Sequence, residues 1–297
     1  MARHNVIFGR DQAVQRGQSF SSPQFGQSGP PQGTQWSSDF GAQQTQQTDQ
    51  LEAMYARPAA TGHDTGRMTM RDALNAITAT LGVIMVVGFV IAVTPRLLGA
   101  VMGESGLQLG LLIGGAATIV GLIGGFILGL VNSFKKQPSA ILVLAYAVFE
   151  GMLLGGISGS IDLYYPGIAV QAVIGTLAVA GTVLVLFRMG ILRTSPVLTK
   201  IFMVAMIAYM LFLLVNIGFV LLAGQSLRDG VIGLIIGGLA VVMASYSLVM
   251  DFEDVQRAAS GHTPRAYAWR CAFGLAVTMV WMYIEILRIL SILRGSD

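Results

Sequence analysis

The chain has 297 residues, of which 54% are hydrophobic and 11% charged, whereas soluble proteins carry about a quarter charged residues. This balance argues against a soluble catalytic domain and favours one polytopic membrane domain, with membrane lipid as its surroundings. The net charge of +3 is not gathered into a basic patch, so we expect no nucleic-acid partner. A single cysteine, Cys271, excludes an internal disulfide.

Residues 1–70 are rich in Gln, Ser, Gly and Pro. Such a segment cannot bury enough apolar surface to offset its chain entropy, so we predict a disordered tail. The tail lacks the basic start, apolar middle and cleavage site of a secretory signal, and the first membrane helix is therefore expected to direct insertion. The remainder, residues 71–297, is predicted to be the membrane domain.

Seven apolar runs follow, each near the length that crosses a bilayer as a helix. They cover residues 74–95, 108–132, 139–161, 168–187, 198–223, 230–250 and 267–293. The short connections contain Pro and Gly, which favour turns and helix ends; Pro95 and Arg96 are the first such signal. The sequence therefore predicts an all-α membrane protein, a bundle of seven transmembrane helices.

Lys and Arg are unevenly shared between alternate connections, with eight residues against two. The larger set is Lys135, Lys136, Arg188, Arg193, Lys200, Arg257, Arg265 and Arg270, and the smaller set is Arg96 and Arg228. By the positive-inside rule, the N-terminal tail is expected in the cytoplasm and the C-terminus outside, in the cytoplasmic membrane.

Glycines recur at four-residue spacing in several runs, as at Gly151, Gly155 and Gly159. This spacing lets helix backbones approach closely. In a seven-helix chain it favours packing within the bundle over an oligomer contact.

Three known site patterns are present only in part. Residues 156–159 match the GxSG of intramembrane serine proteases, but a serine nucleophile needs a nearby base, and every histidine lies outside the apolar runs. The last run has no lysine for a retinal Schiff base. The acidic residues from Asp251 to Asp254 lack the spacing and glycine of a calcium loop. We therefore expect no enzyme activity, no cofactor and no resident metal site.

Ionisable residues inside the apolar runs remain as functional candidates, because burying a charge in a bilayer is costly. Counting along the helices at about 1.5 Å per residue places Asp251 at the inner end of helix six, Glu150 near the bilayer centre and Glu285 in the outer half. Glu150 is either a pathway carboxylate or a neutral carboxyl bonded to a neighbour. Glu285 and Arg288 form either an intrahelical salt bridge or part of a conduction path.

Three segments, residues 146–158, 246–253 and 269–290, resemble the bacterial branch of the Bax-inhibitor-1-like family. The resemblance extends over about residues 74–293. It implies a seven-helix, pH-sensitive calcium leak channel in which two aspartates, on helices six and seven, share a proton and latch the pore. Asp251 fits the helix-six aspartate.

The helix-seven aspartate has no direct counterpart. An ungapped alignment places Thr278 there, whereas a shifted register would equate Glu285 with it. Depth favours Thr278, because Glu285 lies seven residues further along the helix. Asp251 would then pair with a basic residue instead, and the candidates are Lys135, Lys136 and Arg270.

The leading hypothesis is a pH-sensitive leak channel for calcium or another cation, lined by Glu150 and Glu285 and closed near Asp251. The alternative is a non-conducting regulatory membrane protein that binds a membrane protease or another partner. A proton-coupled carrier is a third possibility, but no internal repeat supports it.

Overall fold

The computed structural model describes residues 66–261 and 263–295. They form seven α-helices, each long and apolar enough to cross a membrane, so the predicted fold class is confirmed. The helices are α1 (Met70–Met102), α2 (Glu104–Phe134), α3 (Ala140–Tyr164), α4 (Ile168–Arg188), α5 (Pro196–Ala223), α6 (Gly230–Ser260) and α7 (Tyr267–Gly295). The predicted disordered tail lies outside the described residues except for its last few positions.

Pro95 does not end the first helix as predicted, because it lies buried inside α1. Its ring packs on α2 at Gly110, where an added Cβ would come within 2.4 Å of the Pro95 Cα atom. The close contact with a glycine accommodates a residue that normally interrupts a helix. The helix ends instead at Met102 and is followed by Gly103, whose φ of 67° suits glycine.

The sixth helix also extends beyond the apolar run predicted for it, which ends at residue 250, and so includes the acidic segment that follows Met250. This helix, α6, continues to Ser260. Glu253 is held by the α4–α5 connection, since the Thr194 backbone N–H donates to its carboxylate over 2.9 Å. Polar contacts of this kind allow the helix to extend past the apolar run.

Contacts between helix ends define two faces of the bundle. On the N-face, where α1 begins, the Met68 N–H donates to the Thr263 carbonyl over 2.8 Å. On the C-face, where α7 ends, Arg294 donates to the Pro166 carbonyl over 2.9 Å. Successive connections therefore alternate between the faces, as expected for seven antiparallel crossings.

The interior is built around α3 and α7, and glycines bring α3 against its neighbours. A Cβ on Gly155 would come within 2.5 Å of the Gly88 carbonyl oxygen of α1. A Cβ on Gly156 would come within 2.4 Å of the Gly114 carbonyl oxygen and 2.1 Å of the Thr118 hydroxyl, both on α2. The four-residue glycine spacing of α3 thus serves packing within the chain.

We predict that Gly156→Ala lowers the free energy of unfolding by about 1–3 kcal/mol, as overpacking of a filled interior does. The added methyl group meets the backbone of α2, so the two helices must separate. Thermal unfolding of the purified protein in detergent measures the change.

Gly115→Ala is the matched control on α2, because a Cβ there meets nothing within 4 Å. It should be neutral or stabilising by up to about 1 kcal/mol, since alanine restricts the unfolded chain more than glycine does. Equal melting temperatures for the two variants would contradict the packing described above.

Candidate functional site

A buried ion pair joins the α5–α6 connection to α7 in the C-face half of the bundle. Glu285 is 2% exposed and Arg228 is 5% exposed. Arg228 Nη2 lies 2.6 Å from Glu285 Oε2 and 2.8 Å from Oε1. Because neither charge has access to solvent, each depends on the other for neutralisation.

The hydroxyl of Tyr209 completes this pair. It donates to Glu285 Oε1 and accepts from Arg228 Nη2 over 3.0 Å. The Arg228 guanidinium carbon also lies 5.6 Å from the centre of the Tyr209 ring, within the range of a cation–π interaction. Helix α5, the connection and α7 are thus joined through one carboxylate.

Further polar contacts hold the α5–α6 connection against the helices. The Asn216 side-chain oxygen of α5 accepts from the Leu227 N–H over 2.8 Å. Arg288 donates to the Ser226 hydroxyl over 3.1 Å and lies 3.7 Å from the Asp229 carboxylate. The connection is therefore folded inward at Arg228 and fastened on both sides.

The proposed salt bridge between Glu285 and Arg288 is not formed. The directions of side chains three residues apart on a helix differ by about 60°. The Glu285 and Arg288 side chains accordingly contact different partners. Glu285 faces the buried Arg228, whereas Arg288 faces Ser226 and Asp229 on the connection. The three-residue spacing did not show that Arg228 of the α5–α6 connection would pair with Glu285 in place of Arg288.

On the N-face side of α7, Thr278 lies beside Asp251. The Thr278 hydroxyl donates to Asp251 Oδ2 over 2.6 Å, and Ser247 Oγ lies 3.2 Å from the same hydroxyl. The ungapped alignment therefore agrees with the geometry. Within the described ranges, no ion pair links Asp251 to Lys135, Lys136 or Arg270.

Glu150 lies on α3 and faces α2. It is 8% exposed, and a Cβ on Gly125 would come within 3.0 Å of its Oε1 atom. Tyr146, one turn earlier on the same helix, is also buried. Among the described residues, Oε2 of this carboxyl group has no hydrogen-bond partner.

The three predicted carboxylates thus occupy separate surroundings. Glu150 lies between α3 and α2, Asp251 between α6 and α7, and Glu285 between α7 and the α5–α6 connection. No group of three metal-ligating side chains occurs in the part of the chain that the structure describes.

Sequence reasoning missed Arg228, Tyr209 and Asn216. The sequence analysis considered Arg228 only as one of the positive charges in the connections, whereas the structure shows that its side chain is buried. Tyr209 and Asn216 are the two buried residues of α5, and Asn216 is an amide within a strongly apolar run. A polar side chain at such a position indicates a partner inside the protein, and this signal was available from the sequence.

We predict that Arg228→Met destabilises the protein by about 3–5 kcal/mol, because it leaves Glu285 buried and unpaired. Combining it with Glu285→Leu should restore most of the loss, since both charges are then removed. Thermal unfolding in detergent distinguishes the two variants. If the double variant is no more stable than Arg228→Met, the loss of stability does not come from leaving Glu285 unpaired.

Comparison with known proteins connects the chain to a family. The family model described as "Bax inhibitor 1 like" matches residues 19–295, nearly the whole chain and all seven helices. No curated protein and no solved structure matches the chain significantly. The family match agrees with the resemblance carried by residues 146–158, 246–253 and 269–290. The chain is therefore a multi-pass membrane protein that belongs to the Bax inhibitor 1 like family.

Proposed function

We propose that the protein is a cation leak channel of the cytoplasmic membrane, with calcium as the first candidate ion, and that the structure corresponds to its closed state. The observation that carries the proposal is the Glu150 carboxyl group, buried in a membrane helix with one oxygen that no described residue satisfies. The proposal involves no enzymatic reaction and no cofactor.

A buried carboxyl oxygen without a partner is rare in folded proteins and costly in hydrocarbon. It is tolerated when the carboxyl is protonated or when it binds a cation or water that passes through the site. Oxygen ligands suit hard cations such as calcium, and carboxylates are a common means of cation selectivity. Glu150 therefore has the properties of an intermediate site in a cation path.

The Arg228–Glu285 pair supports a closed state. Of the three predicted carboxylates Glu285 lies nearest the C-face, and both of its oxygens are occupied by Arg228 and Tyr209. A cation cannot use this carboxylate until the guanidinium moves away. Opening on this side thus requires the α5–α6 connection to withdraw Arg228 from the bundle.

Asp251 is the corresponding candidate at the N-face, which we assign to the cytoplasm from the excess of Lys and Arg in its connections. Asp251 accepts a hydrogen bond from Thr278 and not from a second aspartate. The latch that the family resemblance implies would therefore contain one carboxylate instead of two. Its other titratable neighbours are Asp254 and Cys271. We infer that Asp251 sets the pH response of this face.

We predict that Glu150→Gln reduces calcium influx into dye-loaded proteoliposomes. The substitution keeps the shape of the side chain and removes the charge that a cation would meet. Glu104→Gln is the control, since Glu104 is an exposed residue at the start of α2. Equal flux from both variants would remove Glu150 from the path, and no flux above empty vesicles from folded protein would refute the channel.

A second prediction concerns pH. The calcium flux of the unmodified protein should differ between acidic and neutral conditions, and Asp251→Asn should abolish that difference. In Thr278→Asp two carboxylates would lie at hydrogen-bond distance and titrate as a coupled pair, so the pH response should change in steepness. A pH response that survives Asp251→Asn would show that another group controls the gate.

A non-conducting regulatory role is the second candidate, and the exposure of α5 favours it. Only Tyr209 and Asn216 of this helix are buried, which leaves a long apolar face available to a partner helix. Copurification with a membrane protein that is lost when the face of α5 is changed, or when residues 1–65 are deleted, would support this role.

A further inference from the structure

An apolar groove lies on the flank of the bundle, separate from the carboxylates. Helix α1 between residues 81 and 92 and helix α4 between residues 169 and 177 form its walls. Leu154 and Ser158 of α3 and Tyr283 of α7 lie at its floor. The groove has a volume of about 320 Å³.

The walls are open to the membrane, whereas the floor is buried. Phe89 of α1 is 69% exposed, and Val170 and Ile174 of α4 are each 62% exposed. By contrast, Ser158 and Tyr283 are buried, and their hydroxyl oxygens lie 2.7 Å apart in a hydrogen bond. A molecule can therefore reach the groove sideways from the hydrocarbon.

The chemistry of the groove favours hydrocarbon over water. Its third hydroxyl, on Thr176, donates to the Ala172 carbonyl of its own helix over 2.7 Å. Water needs two to four polar partners to occupy a cavity, and these hydroxyls are already engaged with the protein. An alkyl chain, which needs none, suits the same space.

The position of the groove matches one leaflet. Helix α4 begins at Ile168 on the C-face, so residues 169–177 extend about 12 Å inward from that face. Residues 81–92 of α1 cover about 16 Å. Half of the hydrocarbon core is about 15 Å thick, so the groove extends from the C-face surface to about the bilayer centre.

A partly exposed ion pair lies at the mouth of the groove, where Arg96 Nη2 also donates to the Asp162 carbonyl over 2.7 Å. Arg96, one helical turn beyond the α1 wall, pairs with Asp162 of α3, and Asp162 Oδ1 accepts from the Ala169 N–H of α4 over 3.3 Å. The Arg96 side chain is still 46% exposed. A guanidinium has five N–H donors, so donors remain for an anionic group at the level of the lipid headgroups.

We propose that this groove binds one acyl chain of a phospholipid from the C-face leaflet, with the lipid phosphate at Arg96. The apolar cleft accommodates the chain, and the exposed guanidinium complements the charge of the phosphate. The site does not depend on whether the protein conducts ions.

Native mass spectrometry of the full chain, delipidated in detergent and titrated with phosphatidylglycerol, tests the site. We expect one lipid to be retained under conditions that remove all others. Val173→Trp fills the groove and should abolish that retention. Val185→Trp places the same side chain on α4 outside the groove, at a position 56% exposed, and should retain the lipid. Equal retention by the two variants would overturn the proposal.

The unmodified protein provides a test that does not depend on the folding of a variant. Phosphatidylglycerol that carries a diazirine in the middle of one acyl chain should label residues 81–92 and 169–177 in liposomes. Labelling spread evenly over the exposed helices, including α5, would show general lipid contact and overturn the proposal.

The role of Arg96 is tested by comparing phosphatidylglycerol with a diacylglycerol that has the same chains but no phosphate. The unmodified protein and Arg96→Lys should prefer the phospholipid, whereas Arg96→Gln should lose the preference. Both substitutions alter the contact with Asp162, but only Arg96→Lys keeps the positive charge. A difference in lipid preference between the two variants therefore measures the effect of that charge. Equal retention of the two lipids by the unmodified protein would exclude recognition of the phosphate.

Discussion

The hydrocarbon core cannot solvate an unpaired charge, and the Arg228–Glu285 interaction is the main consequence of that constraint in this protein. The Glu285 carboxylate on α7 needs a positively charged partner. Arg228 supplies it from a connection that would otherwise lie at the membrane surface. The inward fold of this connection then brings Ser226 to Arg288 and Leu227 to Asn216. Much of the C-face architecture thus follows from neutralising a single side chain.

The helices are held together in two different ways. Around α3, glycines allow backbones to touch, and van der Waals packing supplies the association that the hydrophobic effect cannot supply in lipid. Helix α5 lacks such close backbone contacts. It packs through side chains, with Tyr209 in an apolar cluster with Ala240 and Met243 of α6, and through the polar contacts of Tyr209 and Asn216.

The seven helices could be predicted from the sequence because an apolar run of bilayer length can satisfy its backbone hydrogen bonds in lipid by forming a helix. The ungapped alignment, which depth favoured, put Thr278 at the position of the second aspartate, and Thr278 hydrogen-bonds to Asp251 in the structure. Pro95 was misread because its effect on a helix depends on the glycine that faces it. Arg228 was missed because burial of a loop residue is decided by tertiary structure, and the separation of Glu150 from Glu285 depends on helix rotation, which residue counting does not supply.

The start of α1 is joined to the α6–α7 connection by more than proximity. Met68 pairs with Thr263 through the backbone, and the Arg265 guanidinium lies 3.0 Å from the Asp72 carboxylate. A mechanical force applied to the preceding N-terminal segment would therefore act on the α6–α7 hairpin as well as on α1. That hairpin carries Asp251 and Thr278, so tension applied at the N-face would reach this hydrogen-bonded pair directly through the hairpin.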